Sequence, residues 1–129
     1  MKSVYDNIKV LASLVPATRT ADANGSSVDA LGYNSAQAVI VAGDIDLTDT
    51  DETYAFKVQH SSDNSSWSDV TGATTTVTAD NQVKVIRLDG IGTSISRYLR
   101  IVLDVGGTSP SIPCSGVFNL GRAFRGPVN

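Results

Sequence analysis

Between Thr53 and His60 apolar and polar positions alternate. Tyr54, Phe56 and Val58 point one way, and Thr53, Ala55, Lys57 and Gln59 point the other. A period of two is that of a β-strand with one wet face. Residues 97–105 repeat it, with Leu99, Ile101, Leu103 and Val105 on one side and Tyr98, Arg100 and Asp104 on the other. Ser35 to Ile45, SAQAVIVAGDI, carries apolar residues on both sides, the pattern of a strand buried on two faces. Val83 to Leu88 forms a further strand. Its apolar phase slips between Val85 and Ile86, which predicts a bulge or two-sided burial. Trp67 to Val70 begins a return strand after the polar loop SSDNSS. Ser115 to Arg122 holds the last strand, with Phe118 and Leu120 on one face.

Turn signals separate these runs. Asn24-Gly25 is the strongest turn dipeptide, DLTDTDE is a polar turn, and the Thr-rich residues 71–82 are punctuated by Gly72 and Asp80-Asn81. Gly106-Gly107 turns the chain, and Pro110 and Pro113 predict a loop-like segment after it. No helical period competes with these signals. The pattern predicts an all-β fold, an antiparallel β-sandwich of jelly-roll or immunoglobulin-like topology. Val10, Leu11, Leu14 and Val15 precede Pro16, so residues 1–20 are expected as an N-terminal arm or edge strand, and residues 21–129 as a single sandwich domain.

Composition supports this reading. Twelve of the 13 acids are Asp, which favours turns, and only Glu52 is Glu. The net charge of -3 supplies no positive field for nucleic acid or anionic lipid. The apolar stretch Val10–Val15 is too short for a membrane span or a signal segment, so synthesis in the cytoplasm is expected. Cys114 is the only cysteine, which excludes an intrachain disulfide and suits a small buried hydrophobe.

Catalytic chemistry has little material. His60 is the only histidine, and a Cys114–His60 pair is the one nucleophile and base that the composition allows. Asp44, Asp46, Asp49, Asp51 and Glu52 place oxygens at spacings that suit Ca²⁺, but Asp49 stands where an EF-hand needs Gly, so a solvated turn is the better reading. A protein that binds rather than catalyses, without cofactor or metal, is expected. Trp67 has two readings, a cap on the core or an exposed platform. Arg97 and Arg100 flank Tyr98 on a strand, and Arg122, Phe124 and Arg125 put an aromatic between cations near the end. With Val10, Leu11 and Leu14 these last three are the candidate interface residues.

The stretches VDALGYNSAQAVIVAGDI, TYAFKVQHSSDNSSWSDV and SRYLRIVLDV, with the closing GRAFR, resemble the head decoration or cement proteins of tailed phages and prophages of the siphophage type. The resemblance spans residues 26–123. Its core is the loop HSSDNSSWSDV followed by the strand RYLRIVL, and Asn64 stands where that loop often has Gly. It implies a virion protein without catalytic residues. Such a protein binds the outer surface of the capsid through the major capsid protein, often as a homotrimer at local threefold positions, and bridges capsid subunits against internal DNA pressure. A carbohydrate-binding or tail-associated sandwich, with Trp67 and Tyr98 as stacking platforms, is the alternative.

Overall fold

A computed structural model describes residues 8–123, and the side chains of Arg122 and Ala123 lie outside that description. Nine strands run in order: β1 (Lys9–Arg19), β2 (Ala23–Asn24), β3 (Val28–Asp29), β4 (Tyr33–Ala42), β5 (Thr53–Ser61), β6 (Ser68–Val77), β7 (Val83–Asp89), β8 (Tyr98–Gly106) and β9 (Ile112–Ala123). All strand pairs are antiparallel. One sheet has the order β1-β9-β4-β7. The other has β2-β8-β5-β6, with β3 also pairing β8.

The pairings reveal how the chain is wound. Both β2 and β3 pair with β8, so they are two halves of one interrupted strand. Then β1 pairs β9, β2/β3 pair β8, β4 pairs β7 and β5 pairs β6. The chain is one long hairpin with its tip at residues 62–67, rolled so that β9 also meets β4 and β8 also meets β5. Eight strands in two sheets wound this way make a jelly roll, the first of the two expected topologies.

The inward face of each strand supplies the core. Tyr54, Phe56 and Val58 of β5 meet Leu99, Ile101 and Leu103 of β8 in one layer. Ala38 and Ile40 of β4, Phe118 and Leu120 of β9, and Ile86 and Leu88 of β7 face them from the other. The phase slip at Val85 produces no bulge, because β7 stays in register with β4 from Val83 to Asp89. Val83 and Val85 simply lie on the outer face. The same holds for β4. It is expected to be buried on two sides, yet Ala36, Ala38, Ile40 and Ala42 are buried on the inner side, Tyr33 is buried at the strand's start, and Val41 is exposed.

Three other expectations are corrected. Pro113 lies inside β9 rather than in a loop. Its carbonyl accepts the Gly43 N–H at 2.8 Å, and the Gly43 carbonyl takes the Asn81 N–H at 2.9 Å in place of the N–H that proline lacks. The Thr-rich segment is mostly strand, since β6 continues to Val77 through an irregularity at Gly72, whose φ is +78°. Leu14, expected at an interface, is 2% exposed and belongs to the core.

Leu14 is inside because β1 is not a loose arm. It is an edge strand with register shifts between Ala12 and Leu14 and between Leu14 and Ala17, and Pro16 falls in the second. The first shift releases Ser13 towards the other sheet. Its hydroxyl donates to the Ser26 carbonyl at 2.7 Å and accepts the Ile101 N–H of β8 at 3.0 Å. The Ser13 carbonyl takes the Ser26 N–H, and the Gly25 N–H reaches the Ile101 carbonyl, both at 2.7 Å. Asn24-Gly25 is therefore no hairpin turn. It marks the break between β2 and β3, where the backbone passes so close to Ser13 that a Cβ on Gly25 would sit 2.7 Å from the Ile101 carbonyl oxygen and 2.9 Å from that of Ser13.

Gly25→Ala forces that crossing apart. Overpacking of this kind costs about 2–3 kcal/mol, and in a domain of this size the melting temperature falls on the order of 10 °C. Thermal unfolding followed by circular dichroism checks it; an unchanged transition would show that the crossing is slack.

Candidate functional site

The tip of the rolled hairpin is built by its own side chains. The Asp63 carboxylate accepts the Ser61 hydroxyl at 2.8 Å, the Ser65 N–H at 3.0 Å and the Ser66 N–H at 2.9 Å. These donors, the Ser66 amide foremost, hold the Asp63 carboxyl below the usual carboxylate range. Asn64 sits at φ +61°, a left-handed conformation that glycine adopts freely and Asn better than most residues. The departure from Gly at this position therefore leaves the turn intact.

The turn delivers Trp67 to the outer face of the five-stranded sheet. Its ring lies under the Arg100 guanidinium, 4.5 Å from the ring centroid. Arg100, Gln59 and Asp69 are cross-strand partners on β8, β5 and β6. Gln59 Oε1 accepts Arg100 Nε at 2.9 Å and Nη2 at 2.6 Å, while Gln59 Nε2 donates to Asp69 at 2.8 Å. Lys57 bridges Asp69 at 3.4 Å and Asp104 at 3.6 Å. The Asp104 charge is the main reason that the lysine pKa rises, and the Gln59 amide is the main reason that the Asp69 pKa falls. Partial burial lowers the Arg100 pKa. Beside this row Arg97 clasps Asp29 with two hydrogen bonds, at 3.0 and 2.6 Å, and lies 4.7 Å over the Tyr98 ring.

Trp67 is half-buried on an outer face with a guanidinium against it, so it is not a cap on the core, and the reading as a surface contact remains. Tyr98 likewise carries Arg97. The sequence displays the alternation that sends Arg100 outward, but the loop's path, which brings Trp67 onto it, follows from hydrogen bonds at Asp63 that no periodicity reveals.

The remaining candidates separate. His60 lies one residue before the end of β5, where its Nδ1 accepts the Ser96 N–H at 3.0 Å. It lines a cleft of about 440 Å³ with Asp69, Arg87, Asp89 and Ser94. Cys114 lies at the other end of the sandwich. Tyr54, at the start of β5, bonds Ser111 through its hydroxyl, close in sequence to Cys114. His60 is six residues further along that strand, about 20 Å away. The two do not form a nucleophile and base. Burial raises the Cys114 pKa, with nearby Arg19 opposing it in part.

The acidic turn has its own internal partners. Asp46 accepts the Thr48 N–H and hydroxyl, Asp51 accepts those of Thr108, and Glu52 accepts the Asp49 N–H. Among the described residues no group of three His, Cys, Asp or Glu is arranged to hold a metal ion. Of the candidate interface residues, Val10 is exposed, Leu11 packs against the core and Leu14 is within it. Phe124 and Arg125, and the side chain of Arg122, lie outside the described residues. Neither a protein-family model nor a curated protein matches the sequence significantly.

Two outcomes follow. Since Asp46 and Asp51 are held by backbone and hydroxyl donors and no three acids of the turn converge among the described residues, exchanging EDTA for millimolar Ca²⁺ shifts the melting temperature by less than about 2 °C, whereas a site saturated at a hundredfold excess over its Kd adds about 2.7 kcal/mol. Iodoacetamide at pH 8 alkylates Cys114 far more slowly in the native protein than in guanidinium, because the thiol is buried and stays protonated. Mass spectrometry of the alkylated fraction distinguishes these states.

Proposed function

We propose that this jelly roll is a virion protein of a tailed phage, made in the host cytoplasm, that binds the outside of the capsid and stabilises the head by bridging major capsid subunits. One observation carries the reading. The two segments that bear the resemblance to decoration proteins, HSSDNSSWSDV and RYLRIVL, meet in space, with Trp67 of the first stacked on Arg100 of the second. They form one preorganised surface of Trp, Arg and Tyr, the residue types that dominate binding energy at protein interfaces. Gln59, Asp69 and Lys57 hold that surface in place, which lowers the entropic cost of docking. Modest contacts repeated over a shell sum through multivalency.

The half-exposed Trp67 also gives the carbohydrate-binding alternative its one support. Against it, Trp67 and Tyr98 each already have a guanidinium over the ring, so they do not form an open pair of stacking platforms.

The test is co-sedimentation of the purified protein with DNA-filled heads of the phage that carries its gene. The parent protein saturates the heads. Trp67→Ala keeps its fold by circular dichroism and loses about 2 kcal/mol per contact, roughly thirtyfold in affinity. Absence of parent binding would refute the virion reading. Quenching of the single tryptophan by soluble oligosaccharides would favour the alternative.

A further inference from the structure

The outer face of the four-stranded sheet is unlike the other. Among the described residues seven large apolar side chains are exposed, and four of them, Val10 (58%), Val41 (46%), Val83 (61%) and Val85 (50%), lie on this face. Register arranges the face in rows that cross the strands. Val85, Val39, Val117 and Ala12 form one row across β7, β4, β9 and β1. Val83, Val41 and Ser115 form the next on one side. On the other side lie Arg87, Gln37, Asn119 and Val10, and beyond them Asp89, Ser35 and Gly121. Apolar residues thus prevail in one half of the face, and amides and charges, with Val10 among them, in the other.

We propose that this face is covered by a second copy of the chain, stacked sheet on sheet about a two-fold axis parallel to the strands. Such an axis lays each row on the same row of the partner. With the axis between β4 and β9, Val39 meets the partner's Val117, Val85 meets the partner's Ala12, and Gln37 meets the partner's Asn119. At the centre valine meets valine and the amides pair, while at the margins Val41 meets the partner's Ser115 and the Arg87 stem lies along the partner's Val10. An axis perpendicular to the strands and centred on the Val39 row would instead lay Val41 and Val83 on Gln37 and Arg87, which buries polar groups against methyls at a cost. Charge permits the match. The chain carries a net -3, yet the charged residues of these rows, Arg87 and Asp89, cancel.

The area suffices for a dimer of moderate affinity. Four strands about 4.8 Å apart and four rows about 6.8 Å apart cover about 500 Å² per copy. The pair buries about 1,000 Å², the lower bound for a specific interface, and a micromolar Kd fits that size. The sequence of β4 is consistent with this partner. Its apolar residues on both sides are those of a strand covered twice, and the described residues cover it once.

Sedimentation equilibrium of the full chain from 1 to 500 µM tests the proposal. A monomer–dimer equilibrium is expected. Val85→Asp weakens it by more than about tenfold while the circular dichroism spectrum and unfolding transition stay close to those of the parent, because Val85 already faces solvent in the monomer. Trp67→Ala, on the opposite sheet, leaves the dimer intact. In a mixed dimer of ¹³C-labelled and unlabelled chains, isotope-filtered spectra show contacts between Val39 and the partner's Val117. A monomer throughout the range overturns the proposal, as does a dimer or trimer insensitive to Val85→Asp. Contacts of Val41 with the partner's Gln37 would overturn the axis.

Discussion

Ser13 ties the two sheets together. Its strand belongs to the sheet that contains β9, yet its hydroxyl takes the Ile101 amide of β8 and gives its proton to the Ser26 carbonyl. The Ser13 hydroxyl and the Ile101 amide are buried, and the Ser26 carbonyl lies at the edge of the crossing. A buried amide left without a partner costs about 1–3 kcal/mol, so the bulge that frees Ser13 is fixed by what it satisfies on the opposite sheet. Gly25 makes the approach close enough. The opposite margin is tied differently. There the Ile45 N–H bonds the Asp80 carboxylate, and Tyr54, fully buried, receives the Ser111 N–H and donates to the Asp46 carbonyl. With both margins held by backbone groups, the rolled hairpin forms a frame, and its outer faces are free to specialise.

They do so in opposite senses. The five-stranded sheet turns out a cross-linked polar row, in which each charge or amide has a named partner and an aromatic ring lies against the Arg100 guanidinium. The four-stranded sheet turns out valines that no other described residue covers. On the proposed function the first face meets the shell. On the proposed stacking the second meets another copy, so that a bridging protein would present two shell-facing surfaces back to back. That dimer differs from the trimer which the resemblance implies, and it arises from the row chemistry of the sheet rather than from the resemblance.

Much of the frame was legible because period-two alternation is a direct image of one-sided burial. β5 follows it closely, and β8 does so for Leu99, Ile101 and Leu103, while Val102 is buried on the outer face beside Lys57 and Val105 only partly inside. The outer positions misled where a strand is apolar on both sides. β4 and β7 present valines on an uncovered face, and pattern alone cannot distinguish burial within a chain from burial between chains. Leu14 was assigned to the surface and Ser13 went unnoticed, because a bulge in an edge strand shifts the phase without any turn residue to mark it. Pro113 misled because the partner acceptor, the Gly43 carbonyl, is satisfied by Asn81, a residue distant in sequence. The stack of Trp67 on Arg100 joins a loop to a strand that lies more than thirty residues later, and only the rolling of the hairpin brings them together.

The most direct measurement is a cryo-EM reconstruction of DNA-filled heads saturated with the protein, at a resolution that orients a jelly roll. The account predicts that the five-stranded sheet, with Trp67 and Arg100, faces the shell across a junction between capsid subunits. Density in which the valine face lies against the shell, or in which Trp67 points away from it, would contradict the assignment of the two faces. Heads with no added density would contradict the function itself.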